Sequence, residues 1–221
     1  MANFNLRILP PEDSSPQPTD MPLKHARRWI SPFEGENSDP PLAVFVTQEA
    51  YRRVVEHAAS ELDNEVGGVL VGERYAEASS GRPFIVVKAT LPARFTRQGS
   101  VYLTFTQDSL VDLHAEMDAH FPGKQILGWY HTHPRMGVFL SHYDTWLHTN
   151  FFPEPWQVAL VIEPHAELGG FFVRPPDSVM DPSRYVGFYE LDGDAGQSVV
   201  RWNNLHCELN LSKTEGDDGN E

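Results

Sequence analysis

The sequence has little cysteine and no long apolar run. A single cysteine, Cys207, excludes an intramolecular disulfide and a cysteine-rich zinc knuckle. No stretch approaches the ~20 apolar residues that are needed to cross a bilayer. The first residues also lack the apolar core of a secretory signal. These absences predict a soluble, cytoplasmic protein with no membrane partner.

Basic residues are also scarce. The chain has 17 Lys and Arg against 31 Asp and Glu, which gives a formal net charge of −14. Such a field repels phosphate backbones, so no nucleic-acid partner is predicted. The compact basic cluster of Lys24, His25, Arg27 and Arg28 is explained equally well by a solvated tail. An acidic surface favours partners or peptide tails that carry Lys or Arg.

The composition divides the chain into three regions. Residues 1–41 contain many prolines and predict a flexible segment, in which WISPF (29–33) can dock as an anchor. Residues 42–205 predict a folded domain, and residues 206–221 predict an acidic, disordered tail.

The domain alternates between period-two and helical patterns without strict β-α-β regularity. This mixture predicts an α/β (α+β) fold in which helices flank a mixed β-sheet. Thr47 is placed to cap the first helix, and Ser141 the third. Strands are predicted at 42–47, 65–75, 83–93, 101–105, 124–133, 157–163 and 169–174, helices at 48–62, 107–120 and 141–150, and a loop at 93–100.

The chemistry is concentrated in the segment that begins with His131-Thr-His133-Pro. At a strand end, the period-two spacing directs His131 and His133 to one face, where both rings can reach an ion at ~2.0–2.1 Å. Asp144, in the first turn of the following helix, can return as a third ligand. Two histidines and one aspartate leave a fourth position for water, which is the open arrangement of a catalytic zinc site. Calcium and magnesium prefer oxygen ligands.

Two further residues complete the predicted site. Glu65, at the start of an apolar strand, is the candidate general acid/base. Gly67 and Gly68 beside it permit a close approach by substrate or by a neighbouring strand. Ser141 is a predicted helix N-cap, and its hydroxyl is also a candidate donor to the oxyanion of a tetrahedral intermediate. The sequence does not separate these two roles of Ser141.

These residues resemble the signature of a known family. Glu65, followed downstream by His131-x-His133-x7-Ser141-x2-Asp144, is similar to the pattern of JAMM (MPN-plus) metalloproteases. GWYHTHP, GVFLSHYD, and GGFF after QVALVIEP resemble that family in the same order. The resemblance covers roughly residues 43–175.

The resemblance implies a fold similar to that of cytidine deaminases, with residues 42–205 as the JAMM/MPN catalytic domain. It implies zinc-dependent cleavage after the C-terminal glycine of a ubiquitin-like protein, or of its conjugates. Glu65 would be the acid/base, Ser141 would assist the oxyanion, and His131, His133 and Asp144 would bind the metal. ARFTRQGS (93–100) lies where the family places a flap that clamps the substrate tail as an added strand.

The chain departs from the larger eukaryotic members, which carry an insertion with a second, structural zinc. The stretch after Asp144 is short, and Cys207 is distant with only His206 beside it, so one Zn²⁺ is expected. This compact build is similar to bacterial members that occur with activating-enzyme and conjugating-enzyme homologues. It suggests processing of a bacterial ubiquitin-like modifier, in antiviral defence among other settings.

Two alternatives stay open. The same chemistry would serve a zinc hydrolase that trims a small C-terminal extension from a sulfur-carrier protein. A non-catalytic MPN scaffold is the other alternative. It is disfavoured because Glu65 and all three candidate ligands are present.

Overall fold

The computed structural model describes residues 16–35, 40–93, 96–99, 102–105, 107–191 and 196–208. One large mixed sheet runs through the domain in the strand order β10-β9-β8-β4-β5-β3-β11-β2-β12, with β1 also paired to β4. The strands are β1 (Gln17–Thr19), β2 (Ala26–Ile30), β3 (Ala43–Thr47), β4 (Gly67–Glu77), β5 (Pro83–Pro92), β6 (Thr96–Gly99), β7 (Tyr102–Phe105), β8 (Gln125–Thr132), β9 (Val158–Glu163), β10 (Leu168–Phe172), β11 (Phe188–Leu191) and β12 (His206–Cys207). The helices are α1 (Gln48–Ala59), α2 (Gln107–His120) and α3 (His142–Phe151).

The α/β (α+β) prediction of a mixed sheet with flanking helices is confirmed. Strand β8 pairs antiparallel with β4 and parallel with β9, and β3 pairs parallel with both β5 and β11. The first six residues of β4, all of β9 and all but the first residue of β8 are buried, and most of these residues are apolar because the sheet is covered on both faces here. None of the described helices is both long and apolar enough to span a membrane.

A local signal sets the start of α1. The Thr47 side chain accepts a hydrogen bond from the Ala50 N–H, which confirms the predicted N-cap. The buried face of α1 carries Ala50, Tyr51 and Val54 at helical spacing. Helix α1 therefore packs against the sheet through one apolar stripe.

Glycine permits the close approach of two strands beside the candidate site. Gly128 in β8 has φ of 146°, and a Cβ added there would lie 2.0 Å from the Val158 carbonyl oxygen. A Cβ on Gly68 would lie 2.2 Å from the Leu91 carbonyl oxygen. Gly68 thus serves the approach of a neighbouring strand, one of the two uses expected for the Gly67–Gly68 pair.

The structure differs from the expectation of a flexible segment over residues 1–41. Residues 26–30 form β2 at one side of the sheet, antiparallel to β11, and residues 17–19 pair with β4. Trp29 donates to the buried Glu190 at 3.1 Å and packs against the core, so the first two residues of the expected WISPF anchor end a strand. The proline-rich composition suggested flexibility, and the strand that pairs with this segment is too distant in sequence to be recognised from local patterns. Residues 1–15 and 36–39 lie outside the described part of the chain.

Two further predictions need correction. Thr96–Gly99 was expected to be a loop but pairs antiparallel with Tyr102–Phe105, because the next strand supplies its backbone partners. His206 and Cys207, at the start of the predicted tail, pair with β2. The predicted tail beyond residue 208 lies outside the described residues.

Candidate metal centre

Three buried side chains meet at the carboxyl end of β8. His131 lies near this end of β8, paired with Val161 of β9. The His133 N–H donates to the Ile162 carbonyl at 2.8 Å. Nε2 of His131 and Nε2 of His133 are 2.9 Å apart. Asp144 Oδ1 lies 3.4 Å from His131 Nε2, and Asp144 Oδ2 lies 3.5 Å from His133 Nε2.

This donor set fits a metal ion. Ligand atoms on ~2.1 Å bonds at tetrahedral angles lie roughly 3.4 Å from one another, close to the observed separations. One ligand atom from each of the three residues lies within 4.8 Å of the others. Two ring nitrogens that face each other inside the protein, next to a carboxylate, are an arrangement that a cation stabilises. His131, His133 and Asp144 can therefore bind one metal ion, as the sequence predicted.

Glu65 lies beside this group. Its Oε1 is 3.9 Å from His133 Nε2, and only 1% of the residue is exposed. The Val66 N–H donates to Thr132 Oγ1 at 2.9 Å, and the Thr132 N–H donates to the Val66 carbonyl at 2.8 Å. These reciprocal bonds hold Glu65 against the end of β8. Glu65 precedes β4 by two residues and is outside the strand in which it was expected.

The two carboxyl groups of the site have opposite pKa shifts. Burial raises the pKa of Glu65 to about 8, and the negative charge of Asp144 adds to the effect. Burial also acts to raise the pKa of Asp144, but His131 and the hydrogen bond from Ser141 outweigh it and hold this pKa well below its ordinary value. Asp144 is thus ionised and suited to ligation, whereas Glu65 is suited to hold a proton.

Ser141 joins the metal centre to the start of α3. Its Oγ accepts from the Asp144 N–H at 3.1 Å, and its own N–H donates to Asp144 Oδ2 at 2.7 Å. This is a complete capping box, which confirms the predicted N-cap. Since Oγ is an acceptor in the cap, the hydroxyl proton can still be donated elsewhere.

A carboxylate that sequence reasoning missed holds the loop after His133. Buried Glu163, the last residue of β9, accepts from the backbone N–H groups of Arg135 (2.9 Å), His165 (3.0 Å) and Ala166 (2.7 Å). Arg135 has φ of 61°, a left-handed conformation that this loop requires. A polar residue at the end of an apolar strand was the available signal, but the N–H groups that donate to it could not be assigned from sequence.

The neighbours of the motif lie in different environments. Tyr130 is buried away from the ligands and shares a 2.8 Å hydrogen bond with His57 Nδ1. The ring centroid of Phe139 is 4.8 Å from that of His133, and 36% of Phe139 is exposed, at the rim of the site. His142 is exposed, and His148 is buried next to Trp129.

Fold and site together define a mixed α+β domain in which a buried His-His-Asp group can bind a metal ion beside a buried glutamate. Comparison with known families agrees: residues 39–152, just over half of the chain, match the family described as JAB1/Mov34/MPN/PAD-1 ubiquitin protease. The chain belongs to this family, and the expected JAMM/MPN membership is confirmed.

Several known proteins are similar to this chain. COP9 signalosome complex subunit 5 of Caenorhabditis elegans is 32% identical over 186 residues, which are 74% of this chain and 45% of that protein. The NAD(+) hydrolase TcpA of Theionarchaea archaeon (strain DG-70-1) is 33% identical over 102 residues, 46% of this chain and 28% of that protein. The chain therefore spans less than half the length of these relatives. The solution structure of DSY2949 from Desulfitobacterium hafniense has a TM-score of 0.48 and 23% identity, over 64% of this chain and 91% of that one.

Proposed function

We propose that this protein is a zinc-dependent isopeptidase or peptidase that cleaves after the C-terminal glycine of a ubiquitin-like protein. The observation that carries the proposal is the meeting of three buried ligand atoms, from His131, His133 and Asp144, with the Glu65 carboxyl 3.9 Å from His133. Membership of a ubiquitin-protease family supports the choice of amide chemistry.

The ligand atoms favour zinc. Two imidazole nitrogens and one carboxylate oxygen suit a borderline ion better than calcium or magnesium, which prefer oxygen ligands. A zinc ion held there supplies Lewis-acid chemistry, because it polarises a carbonyl and acidifies a water. We keep the expectation of one Zn²⁺, held by His131, His133 and Asp144.

The chain's own residues supply proton transfer and charge stabilisation. Glu65 takes a proton from the attacking water and delivers it to the leaving amine, and its raised pKa suits a group that alternates between both forms near neutral pH. The Ser141 hydroxyl donates to the developing oxyanion while its oxygen continues to cap α3.

The substrate tail would enter in an extended form. The hairpin of β6 and β7 lies outside the main sheet, and a free hairpin edge can pair with an added strand. We assign this hairpin the flap role that the sequence suggested for residues 93–100. Glycine at the end of the tail would suit a narrow approach past the aromatic rim at Phe139.

The test is cleavage by the full-length, zinc-loaded chain. The substrates are a panel of ubiquitin-fold proteins ending in glycine, each joined either to a lysine side chain of a peptide or to a short C-terminal extension. Mass spectrometry should show release after the glycine, and the Glu65→Gln variant should release far less product in the same time. Cleavage of the short extension alone would favour the trimming hydrolase, and a chain that binds no metal would favour the scaffold.

The modifier's activating-enzyme and conjugating-enzyme homologues are proposed partners, since a deconjugating enzyme shares its modifier with them. The absence of a nucleic-acid partner stays a prediction from the acidic charge. The cytoplasmic location and the role in antiviral defence likewise stay predictions.

A further inference from the structure

Among the described residues, no group forms a hydrogen bond to the second ring nitrogen of His131. In metal sites the ligating histidine usually donates its other ring N–H to a carboxylate or a carbonyl, and this bond fixes the orientation of the ring. Nδ1 of His131 is buried, and within the described part of the chain it has no hydrogen-bond partner. The orientation of this ligand therefore depends on what packs against the ring.

The His131 ring lies flat on the indole of Trp129. The ring centroids are 4.4 Å apart, and the planes differ by only 9°. Trp129 is two residues earlier in β8, so both side chains leave the same face of the strand. Both residues are fully buried, and the indole therefore sets the tilt of the ligand ring.

The indole is itself fixed by a hydrogen bond. Trp129 Nε1–H donates to Nδ1 of His148 at 3.1 Å. Because Nδ1 is the acceptor, the neutral His148 ring carries its proton on Nε2. His148 is one helical turn after Asp144 in α3, so one helix supplies both a metal ligand and the acceptor that fixes Trp129.

We propose that Trp129 and His148 are positioning residues that hold His131 in its metal-binding orientation, in place of a hydrogen bond to Nδ1. The inference rests on the metal site of the proposed function. The strand residue supplies a flat surface for the ligand ring. His148 of α3 fixes the rotation of the Trp129 indole, so this hydrogen bond holds α3 and β8 in a fixed relative position beside the metal ligands.

The test compares three variants of the full-length protein. His148→Leu removes the acceptor, His148→Asn keeps an acceptor near the position of Nδ1, and Trp129→Phe keeps an aromatic ring without the N–H. Zinc affinity is measured by competition with a chromophoric chelator. The geometry of the site is read from the visible absorption spectrum of the Co²⁺-loaded protein.

His148→Leu and Trp129→Phe should each weaken zinc binding by about 10- to 100-fold, the usual effect of losing an outer partner of a metal ligand. Both should also change the Co²⁺ spectrum, and His148→Asn should restore affinity and spectrum towards wild type. Unchanged affinity and spectrum in Trp129→Phe and His148→Leu would overturn the positioning role. Trp129→Phe keeps the test valid if His148→Leu fails to fold.

His57→Leu is the matched control. His57 shares a hydrogen bond with the aromatic Tyr130 of the same strand, but on the face opposite to Trp129 and His131. It should lower stability and leave zinc affinity and the Co²⁺ spectrum unchanged. Equal weakening of zinc binding in His57→Leu would show general loosening of β8 and contradict the proposal. A wild-type protein that binds no metal would instead overturn the proposed function, and the positioning role with it.

Discussion

The Asp144 carboxylate faces the candidate metal position and also accepts the backbone N–H of Ser141 at 2.7 Å. Its Oδ2 is the atom that accepts this bond and the one that lies 3.5 Å from His133 Nε2. One side chain thus closes the capping box and completes the group of three ligands. Helix initiation and the candidate metal site therefore share this residue.

Replacing Ser141 separates its two roles. Ser141→Gly should cost only a few tenths of a kcal/mol in stability, since glycine is tolerated at an N-cap. It should nevertheless lower kcat roughly 10²-fold, the typical effect of losing one oxyanion donor. Chemical denaturation and steady-state kinetics on the same preparation provide the check. Ser141→Ala is the comparison: it should lose about 1 kcal/mol as well as activity.

Glu65→Gln should reduce kcat by about 10²- to 10⁴-fold, because the amide cannot accept the proton. Zinc content should stay at one ion per chain, because Glu65 is not one of the three ligands. Metal analysis of the purified variant and turnover on the cleavable conjugate test this together. A fully active Glu65→Gln variant would refute the assigned acid/base role.

Metal removal should destabilise the fold. Zinc bound only by the native state adds about 2.7 kcal/mol when free zinc is 100 times the dissociation constant. Thermal unfolding with zinc and with chelator should therefore give clearly different midpoints for the wild type. The difference should vanish in His133→Ala, which lacks one of the three ligands. An equal zinc effect in that variant would place the bound ion elsewhere.

Acid should destabilise the chain in part through His148. Burial lowers the pKa of His148 to about 3 in the native state. Between pH 3 and about 6.5, this side chain is therefore protonated in the unfolded chain but neutral in the folded one. Stability consequently falls as pH drops through this window. From pH 7 to 5 the metal-free wild type should lose about 2 kcal/mol more than His148→Leu. Guanidinium unfolding of both proteins at the two pH values measures the difference, and identical losses would count against this assignment.

Glu163→Ala should release the loop that follows His133. Three backbone N–H groups, those of Arg135, His165 and Ala166, lose their acceptor, and we expect a cost of about 3 kcal/mol. Zinc affinity should fall too, because this loop leads from His133 to α3. Glu163→Gln keeps an acceptor oxygen and should lie between the two in denaturation and zinc titration. Wild-type stability and zinc affinity in Glu163→Ala would show that the loop keeps its conformation without this carboxylate.

Features governed by local spacing were predictable from the sequence. The caps at Thr47 and Ser141, the shared face of His131 and His133, and their meeting with Asp144 all depend on residues close in the chain. Their patterns are short and chemically specific, so each could be found without knowing the rest of the fold.

Features that depend on distant partners were not predictable. Strand β2 forms because β11, some 160 residues later, offers a paired edge and because Glu190 accepts from Trp29. The composition around Trp29 gives no sign of either partner. The hydrogen bond between Trp129 and His148 could not be predicted either, because each residue alone fits an ordinary core position.

The order of strands bears on how the protein can be dissected. Residues 39–152, which match the family, contain β3, β4, β5 and β8 but lack β9 and β11. A fragment cut to that range would bare the open side of β8, next to both histidine ligands, and one side of β3. Exposed apolar edges of this kind recruit other chains, so the excised fragment should assemble edge to edge into insoluble material. The strands outside the family match, β9 and β11, therefore protect the sheet that carries the candidate metal site from pairing with other chains.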